Sequence, residues 1–175
     1  MALSLFLHPE RYAVPARLPF LNLGANVFDP EFRIARLSHM NAEVGRRAFL
    51  SLDPYNEIRK RNARLLSHNL GHNESLRIPK PFVGGQPVYL RFPVVFPDEE
   101  ARGRVSWILS RRRLGASCSY PIPLNEIPAF RAYLCADEDY PGAKFVADRI
   151  LTLPTHPYVN EQDIQRIVSR INRIT

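Results

Sequence analysis

The spacing of apolar residues along the chain predicts five helices. Their expected ranges are 39–52, 53–70, 98–113, 141–149 and 160–171. Asp53 and Asp139 are placed to cap the second and fourth helices, and Asn160 is placed to cap the fifth. Apolar stripes on the second, third and fifth helices predict that one side of each faces a core. The residues expected on those inner sides are Tyr55, Ile58, Leu65, Leu66, Ala101, Val105, Ile108, Leu109, Ile164, Ile167, Val168 and Ile171.

Alternating apolar residues predict a strand over 88–96. Pro93 has no N–H to donate, so this strand is expected at a sheet edge or with a bulge. Shorter strands are expected over 116–120 and over 151–153, where Pro154 stops the latter. This order of elements predicts an α/β fold, in which one small sheet has helices packed on one face. The residues expected in its core include Phe92, Val94, Cys118, Ile167 and Val168.

Residues 1–38 differ from the rest of the chain, because they contain four prolines and scattered apolar side chains without a sustained period. We interpret them as an extended arm and residues 39–175 as the folded domain. The leucines and phenylalanines of the arm would be exposed if nothing covered them. We therefore expect contacts between chains, or with a further domain, to stabilise residues 1–30.

The chain has 175 residues, the size of one domain, and 45% of them are hydrophobic, as in an ordinary globular protein. No apolar run reaches the roughly 18 residues of a membrane helix. The N-terminal apolar run lacks the basic start of a secretory signal. These features predict a cytoplasmic protein without membrane contact.

The net charge is +7, and only three of the 24 basic residues are lysines. Arginine clusters at 46–47, 59–64 and 111–113 lie on predicted helices among apolar anchors, so we interpret them as solvated helix faces. No aromatic residues are interleaved with them, as a base-stacking platform would require. Nucleic-acid binding is therefore disfavoured. The bidentate geometry of arginine still suits an anionic partner.

Side chains that could carry chemistry are few and scattered. Two cysteines, Cys118 and Cys135, are too few for a disulfide scaffold or a Cys-based zinc site. The five histidines have no metal-ligand spacing, and neither a Gly-rich phosphate loop nor a catalytic-serine motif occurs. We interpret Cys118 as a buried small apolar residue, and we favour a structural over a catalytic role for His156. The sequence thus assigns no catalytic residue and no metal ligand.

Several segments resemble the sugar aminotransferases of the DegT/DnrJ/StrS type. Residues 36–45 resemble that family's arginine-led helix entry, and residues 61–64 resemble a pattern in the helix that follows it. Residues 115–121 resemble the strand before the substrate loop. Residues 140–157 and 160–164 resemble the closing leucine–proline strand and the acid-opened helix after it. The order and the spacing of these segments both match.

The resemblance covers roughly residues 30–175 and implies the small C-terminal domain of a dimeric fold-type-I enzyme that uses pyridoxal phosphate. In that family a large domain carries the cofactor pocket and the Schiff-base lysine, and it would precede residue 1. Lys60 lies mid-helix among arginines, Lys80 is flanked by prolines, and Lys144 opens a helix, so none fits that lysine. The resemblance therefore implies no cofactor in this chain alone. It implies a homodimer or a missing N-terminal large domain as the partner.

The resemblance also implies that three residues bind the substrate, a nucleotide sugar: Arg36, Tyr120 and Asn125. Asn125 stands where the family often has a histidine. An asparagine can hydrogen-bond a sugar hydroxyl but cannot titrate near neutral pH. Ile34 stands where the family has an asparagine that reaches the cofactor phosphate of the partner subunit, and isoleucine has no donor for that contact.

We therefore expect a sugar-aminotransferase-like polypeptide, in the context of sugar or exopolysaccharide synthesis, that does not transaminate by itself. Besides a nucleic-acid binder, which only strong and steeply salt-dependent affinity would favour, two alternatives stay open. The chain could be one half of a split enzyme, completed by a separately encoded N-terminal half that covers the apolar arm. It could instead be a standalone binding or regulatory module, which would be stable without a partner.

Overall fold

The computed structural model of the protein describes residues 34–119, 121–133 and 139–175. The chain divides into two compact units, Met1–Arg36 and Leu37–Thr175. Residues 34–36 are the described part of the first unit, and they are exposed and without regular secondary structure. The arm expected over 1–38 therefore lies almost wholly outside the described residues, and so do the contacts expected for residues 1–30.

Two helices begin the second unit. Helix α1 spans His39–Phe49, and the Ser38 hydroxyl caps it by accepting a hydrogen bond from the Asn41 N–H at 3.2 Å. Helix α2 spans Leu52–Leu70. The cap expected at Asp53 is wrong, because that residue lies inside the first turn of α2.

The core begins only after the first turns of α2. No residue of α1 is buried, and Phe49 is 72% exposed. Tyr55, which the apolar stripe places inside, is 49% exposed and is a second correction. Leu66 and Leu70, about three and four turns after Tyr55, are fully buried. The N-terminal part of the helical pair therefore adds little to the stability of this unit.

Strands β1 (Arg91–Val95) and β2 (Ile150–Pro154) pair antiparallel. In this register two pairs of apolar residues stand opposite each other and face the helices, Phe92 with Leu153 and Val94 with Leu151. All four side chains are at most 1% exposed. Burial of one such side chain contributes roughly 1.5–3 kcal/mol, so this face anchors the sheet.

The strand expected over 88–96 is shorter than the alternation indicates. Tyr89 has a φ of 57°, in the left-handed region, and the extended backbone begins only at Arg91. The Tyr89 carbonyl accepts a 2.6 Å hydrogen bond from the buried Thr155 hydroxyl, which holds this conformation. Leu90 consequently lies outside the core and is 71% exposed.

Prolines limit both outer edges of the strand pair. Each edge carries one isolated bridge, Arg77 to Val95 and Ser117 to Thr152. The next outward-facing position on each strand, two residues from the bridge, is a proline: Pro93 in β1 and Pro154 in β2. Proline has no N–H, so the pairing cannot continue past it. The edge position expected from Pro93 is thus confirmed. Of the strand expected over 116–120, the described residues 116–119 form a single bridge, at Ser117.

Three further helices complete the unit, α3 (Glu99–Arg111), α4 (Pro141–Arg149) and α5 (Glu161–Ile171). The expected cap of α5 is confirmed, because Asn160 and Asp163 form a reciprocal capping box. The cap expected at Asp139 is wrong. Tyr140 holds the N-cap position of α4, without a side-chain cap.

One apolar core joins α2, α3, α5 and the sheet, and it confirms the expected α/β fold with helices packed on a small sheet. Of the residues expected in it, Phe92, Val94, Ile167 and Val168 are buried, while Cys118 is only partly buried at its margin. In the described part of the chain, no helix is both long and apolar enough to cross a membrane.

Candidate functional site

A cavity of about 260 Å³ lies where the segment after residue 120 meets the start of α4. Five residues line it, Leu124, Asn125, Phe130, Tyr140 and Ala143. The walls are almost wholly apolar and aromatic, and Asn125 and Tyr140 are the lining residues whose side chains carry a polar group. This combination is typical of sites that bind small organic molecules.

Short 3₁₀ turns hold the first three lining residues in place. Leu124–Glu126 and Pro128–Tyr133 form two such turns. The Glu126 N–H donates to the Pro123 carbonyl at 3.1 Å, and the Phe130 N–H donates to the Ile127 carbonyl at 2.9 Å. Prolines at 121, 123 and 128 restrict the backbone to conformations that break longer helices and strands, so turns of this kind are favoured.

The start of α4 supplies the other wall. Pro141 occupies the first helical position, which its fixed φ suits. The Lys144 ammonium lies 4.0 Å from the Glu126 carboxylate and 3.3 Å from that of Asp148, so it joins the first turn to the helix. Exposed pairs of this kind contribute little stability, and we read them as orienting contacts.

The lining residues bring mainly apolar and aromatic chemistry to the cavity. None of the five carries a carboxylate, an imidazole, an amine or a thiol. An amide can donate to one hydroxyl and accept from another, and aromatic faces pack against apolar rings. The cavity therefore offers mainly apolar and aromatic contact, with the Asn125 amide and the Tyr140 hydroxyl as the polar groups of its lining residues.

The structure places the three sequence-predicted substrate residues differently. Asn125 lines the cavity. Arg36 lies at the end of the first unit and is exposed. Tyr120 lies outside the described residues. Their common role in substrate binding stays a prediction.

Sequence reasoning missed Phe130 and Tyr140 as lining residues. They lie in segments whose apolar residues do not recur at helix or strand spacing, so the sequence could not show which side of an element they occupy. The available signal was weaker, namely aromatic residues within a proline-rich stretch on either side of Asn125.

The three lysines do not fit a Schiff base with pyridoxal phosphate. Such a lysine must lose its proton and lie against the cofactor. Lys60 instead pairs with Glu57 at 2.8 Å, and Lys144 is 57% exposed between two carboxylates. Lys80 is exposed in the loop before β1. We therefore derive no step through that cofactor from these residues.

Cys118 departs from the expected small buried apolar residue. Its sulfur lies 3.1 Å from a guanidinium nitrogen of Arg102 and 3.4 Å from the Ser106 hydroxyl. The Arg102 side chain also donates to the Asp148 carbonyl. Cys118 thus helps to join the bridge at Ser117 to α3. Among the described residues no group of three or more potential metal ligands occurs.

His156 lies in the turn after β2, in a cationic part of the domain. Its Nδ1 atom is buried and has no hydrogen-bond partner among the described residues. Burial, and then the fields of Arg59 and Arg91, lower the pKa of His156 below its ordinary value of 6.5. Arg91 is itself held in place, because its guanidinium donates to the Thr152 hydroxyl at 2.7 Å and to the Gly115 carbonyl at 2.6 Å.

This arrangement predicts that the domain loses stability as the pH falls below about 6.5. The unfolded chain protonates His156 more readily than the folded chain does, so protons favour unfolding until the pH has passed the lowered folded-state pKa. In His156→Gln, the part of the stability loss at acid pH that comes from this histidine is expected to disappear. Urea unfolding at several pH values measures it, with the exposed His39→Gln as the control. An unchanged pH profile in His156→Gln would contradict the assignment.

Comparison with known proteins agrees with the earlier resemblance. The profile of the DegT/DnrJ/EryC1/StrS aminotransferase family matches residues 33–172. A UDP-N-acetyl-3-dehydro-alpha-D-glucosamine 3-aminotransferase from Acidithiobacillus ferrooxidans is 30% identical over 139 residues, which are 79% of this chain and 36% of that protein. A pleiotropic regulatory protein from Geobacillus stearothermophilus is 27% identical over 141 residues, 78% of this chain and 37% of that protein.

The fold has solved counterparts as well. The crystal structure of DesV from S. venezuelae, in complex with a ketimine intermediate, superposes with a TM-score of 0.71 at 23% identity. It covers 91% of this chain and 43% of the DesV chain. This chain therefore spans well under half the length of the relatives it matches. With four-fifths of its residues inside the family profile, the chain belongs to the DegT/DnrJ/EryC1/StrS aminotransferase family.

Proposed function

We propose that this chain forms the sugar-facing part of a cytoplasmic, dimeric sugar aminotransferase, and that the cavity at Asn125 receives the sugar of a nucleotide-linked substrate. The observation that carries the proposal is the cavity itself, which brings one amide together with Phe130 and Tyr140. The Acidithiobacillus relative, whose name specifies a UDP-linked sugar, supports the substrate class. In this proposal Arg36 and Tyr120 make further substrate contacts.

Transamination requires a group that these residues do not hold. Pyridoxal phosphate, when bound, carries the amino group between donor and acceptor. The ion-paired and exposed positions of the lysines support the proposal that residues 1–175 do not transaminate by themselves. A large domain, in the same protein or in a partner, would supply the cofactor lysine.

The cavity is tested by titrating UDP-N-acetylglucosamine into the purified chain. We expect Asn125→Ala to weaken binding about three- to tenfold, because one or two hydrogen bonds to sugar hydroxyls are lost. Asn56→Ala, which removes an amide from the surface of α2, is the matched control and should bind like the parent. Equal binding by Asn125→Ala and the parent chain would place the sugar elsewhere.

The cofactor part is tested separately. We expect pyridoxal phosphate to form no stoichiometric aldimine at one lysine, because Lys60 and Lys144 are engaged by carboxylates and Lys80 is exposed in a loop. The measurement is the absorbance of the mixture, followed by borohydride reduction and peptide mapping. Complete labelling of a single site among Lys60, Lys80 and Lys144 would refute this part while leaving the sugar cavity untouched.

A second candidate function is a non-catalytic regulatory or binding module. The relative from Geobacillus carries a regulatory name, and the placement of the lysines is the same under both proposals. The two candidates differ in what a cofactor-bearing large domain does. If adding the large domain of a related enzyme to the chain restores amino transfer, the enzyme proposal holds. If the two associate without turnover, the regulatory module is favoured.

A further inference from the structure

A groove runs along α2 on the side of the segment that leads into β1. It consists of two adjoining cavities of about 420 and about 390 Å³, which share Pro81 and Tyr89 in their linings. We call it the α2 groove. One wall is a stripe of α2 that includes Lys60, Arg64 and Ser67, and the other wall is the loop over residues 76–81. None of the residues that line the cavity at Asn125 takes part.

The charge of the α2 groove is strongly unbalanced. Four cations line it, Lys60, Arg64, Arg77 and Lys80. Its one carboxylate, Glu57, pairs with Lys60 at 2.8 Å. The side chains of Arg64, Arg77 and Lys80 form no hydrogen bond or ion pair within the described residues. Lys60, and to a lesser degree Arg64, lowers the pKa of Glu57, so Arg77 and Lys80 are the two lining cations left without a counter-charge among the described residues.

The groove is also built on a stiff frame. Pro79, Pro81 and Pro87 fix backbone angles in its loop wall. Tyr89 lines both cavities and is held in a left-handed conformation that a tyrosine rarely adopts. Its carbonyl is fixed by Thr155, and its ring packs 5.6 Å from that of Phe92. A preformed groove of this kind loses little entropy when a ligand binds.

We propose that the α2 groove binds a compact polyphosphate anion, either free or as the triphosphate of a nucleotide. Such an anion carries several adjacent negative charges for the cations of the two cavities, and arginine and lysine side chains bind phosphate oxygens strongly. Each cavity lies within the range of about 300–1,000 Å³ that small ligands occupy. Arg77 and Lys80 line one cavity and Lys60 and Arg64 line the other, so an anion with several adjacent phosphates can contact cations in both.

The test is calorimetric titration of the full chain with inorganic tripolyphosphate and with ATP, at roughly 0.1 M salt, where charges are screened beyond about 10 Å. We expect saturable one-to-one binding that weakens about tenfold in Arg64→Gln and in Lys80→Gln, since each removes a charge-assisted contact. Arg173→Gln removes one exposed charge outside the groove and should bind like the parent chain. Thermal unfolding of each variant checks that the fold is intact.

Each outcome decides the matter. Equal affinity for tripolyphosphate and ATP supports a site for the phosphates alone, and tighter binding of ATP supports a nucleotide as their source. Absence of saturable binding overturns the proposal. It is also overturned if Arg173→Gln weakens binding as much as Lys80→Gln, because net charge then explains the effect. Tighter binding of a heptaglutamate peptide than of tripolyphosphate would overturn it in favour of an acidic protein segment.

Discussion

Replacing Ile167 by alanine is expected to lower the free energy of unfolding by about 2–5 kcal/mol. Ile167 is fully buried in the centre of α5, and it packs in the same core cluster as Phe92 and Val94 of the sheet. Truncation removes apolar area and leaves a cavity that the strands cannot fill, because both are fixed in register. Equilibrium unfolding in urea measures the change.

The matched control for this change is Ser169→Ala, which alters an exposed position of the same helix. Surface changes of this kind usually shift stability by less than about 0.5 kcal/mol. If Ile167→Ala cost no more than the control, α5 would not be docked on the sheet, and the core described above would be wrong.

Asn62→Ala is expected to cost about 2–4 kcal/mol, because buried polar groups left unpaired cost about 1–3 kcal/mol each. Asn62 is fully buried in α2. Its amide nitrogen donates to the Thr155 carbonyl at 3.1 Å and to the Val159 carbonyl at 3.2 Å. The substitution leaves both carbonyls, in the turn after β2, without a hydrogen-bond donor. It also removes the contacts from α2 that hold this turn, on which His156 lies.

The measurement is again urea unfolding, here with Asn56→Ala as the comparison within α2. Asn56 is half-buried, and its side chain has no hydrogen-bond partner among the described residues. If Asn62→Ala lowered the free energy of unfolding no more than Asn56→Ala does, water would be replacing the hydrogen bonds of the amide without cost. The turn after β2 would then be held by other contacts.

The parts of the fold that sequence reasoning predicted are those with a regular apolar period. Helix α5 is the clearest example, since its cap and its four buried residues follow directly from the spacing. Tyr89 shows the limit of such reasoning. It continues the alternation of a strand, but a hydrogen bond from Thr155, 66 positions later, holds it in a left-handed conformation. A local pattern contains no information about that distant contact.

The candidate site was predicted only in part, for the same reason. Asn125 was found through its resemblance to a family position. Phe130 and Tyr140 reach the cavity from two different segments, and neither segment has a period that would assign it a face. The lysines illustrate the opposite case. The arginines around Lys60, the prolines around Lys80 and the helix start at Lys144 already argued against a cofactor lysine, and the ion pairs of Lys60 and Lys144 agree.

The prolines at the sheet edges bear on how this domain meets other chains. An open strand is a template on which a foreign strand can add, and repeated addition leads to fibres. Pro93 and Pro154 have no N–H to donate, and each lies close to the one bridge on its edge of the sheet. An incoming strand would therefore lack a backbone hydrogen bond at either edge. Addition of a foreign strand to this sheet is therefore disfavoured at both edges.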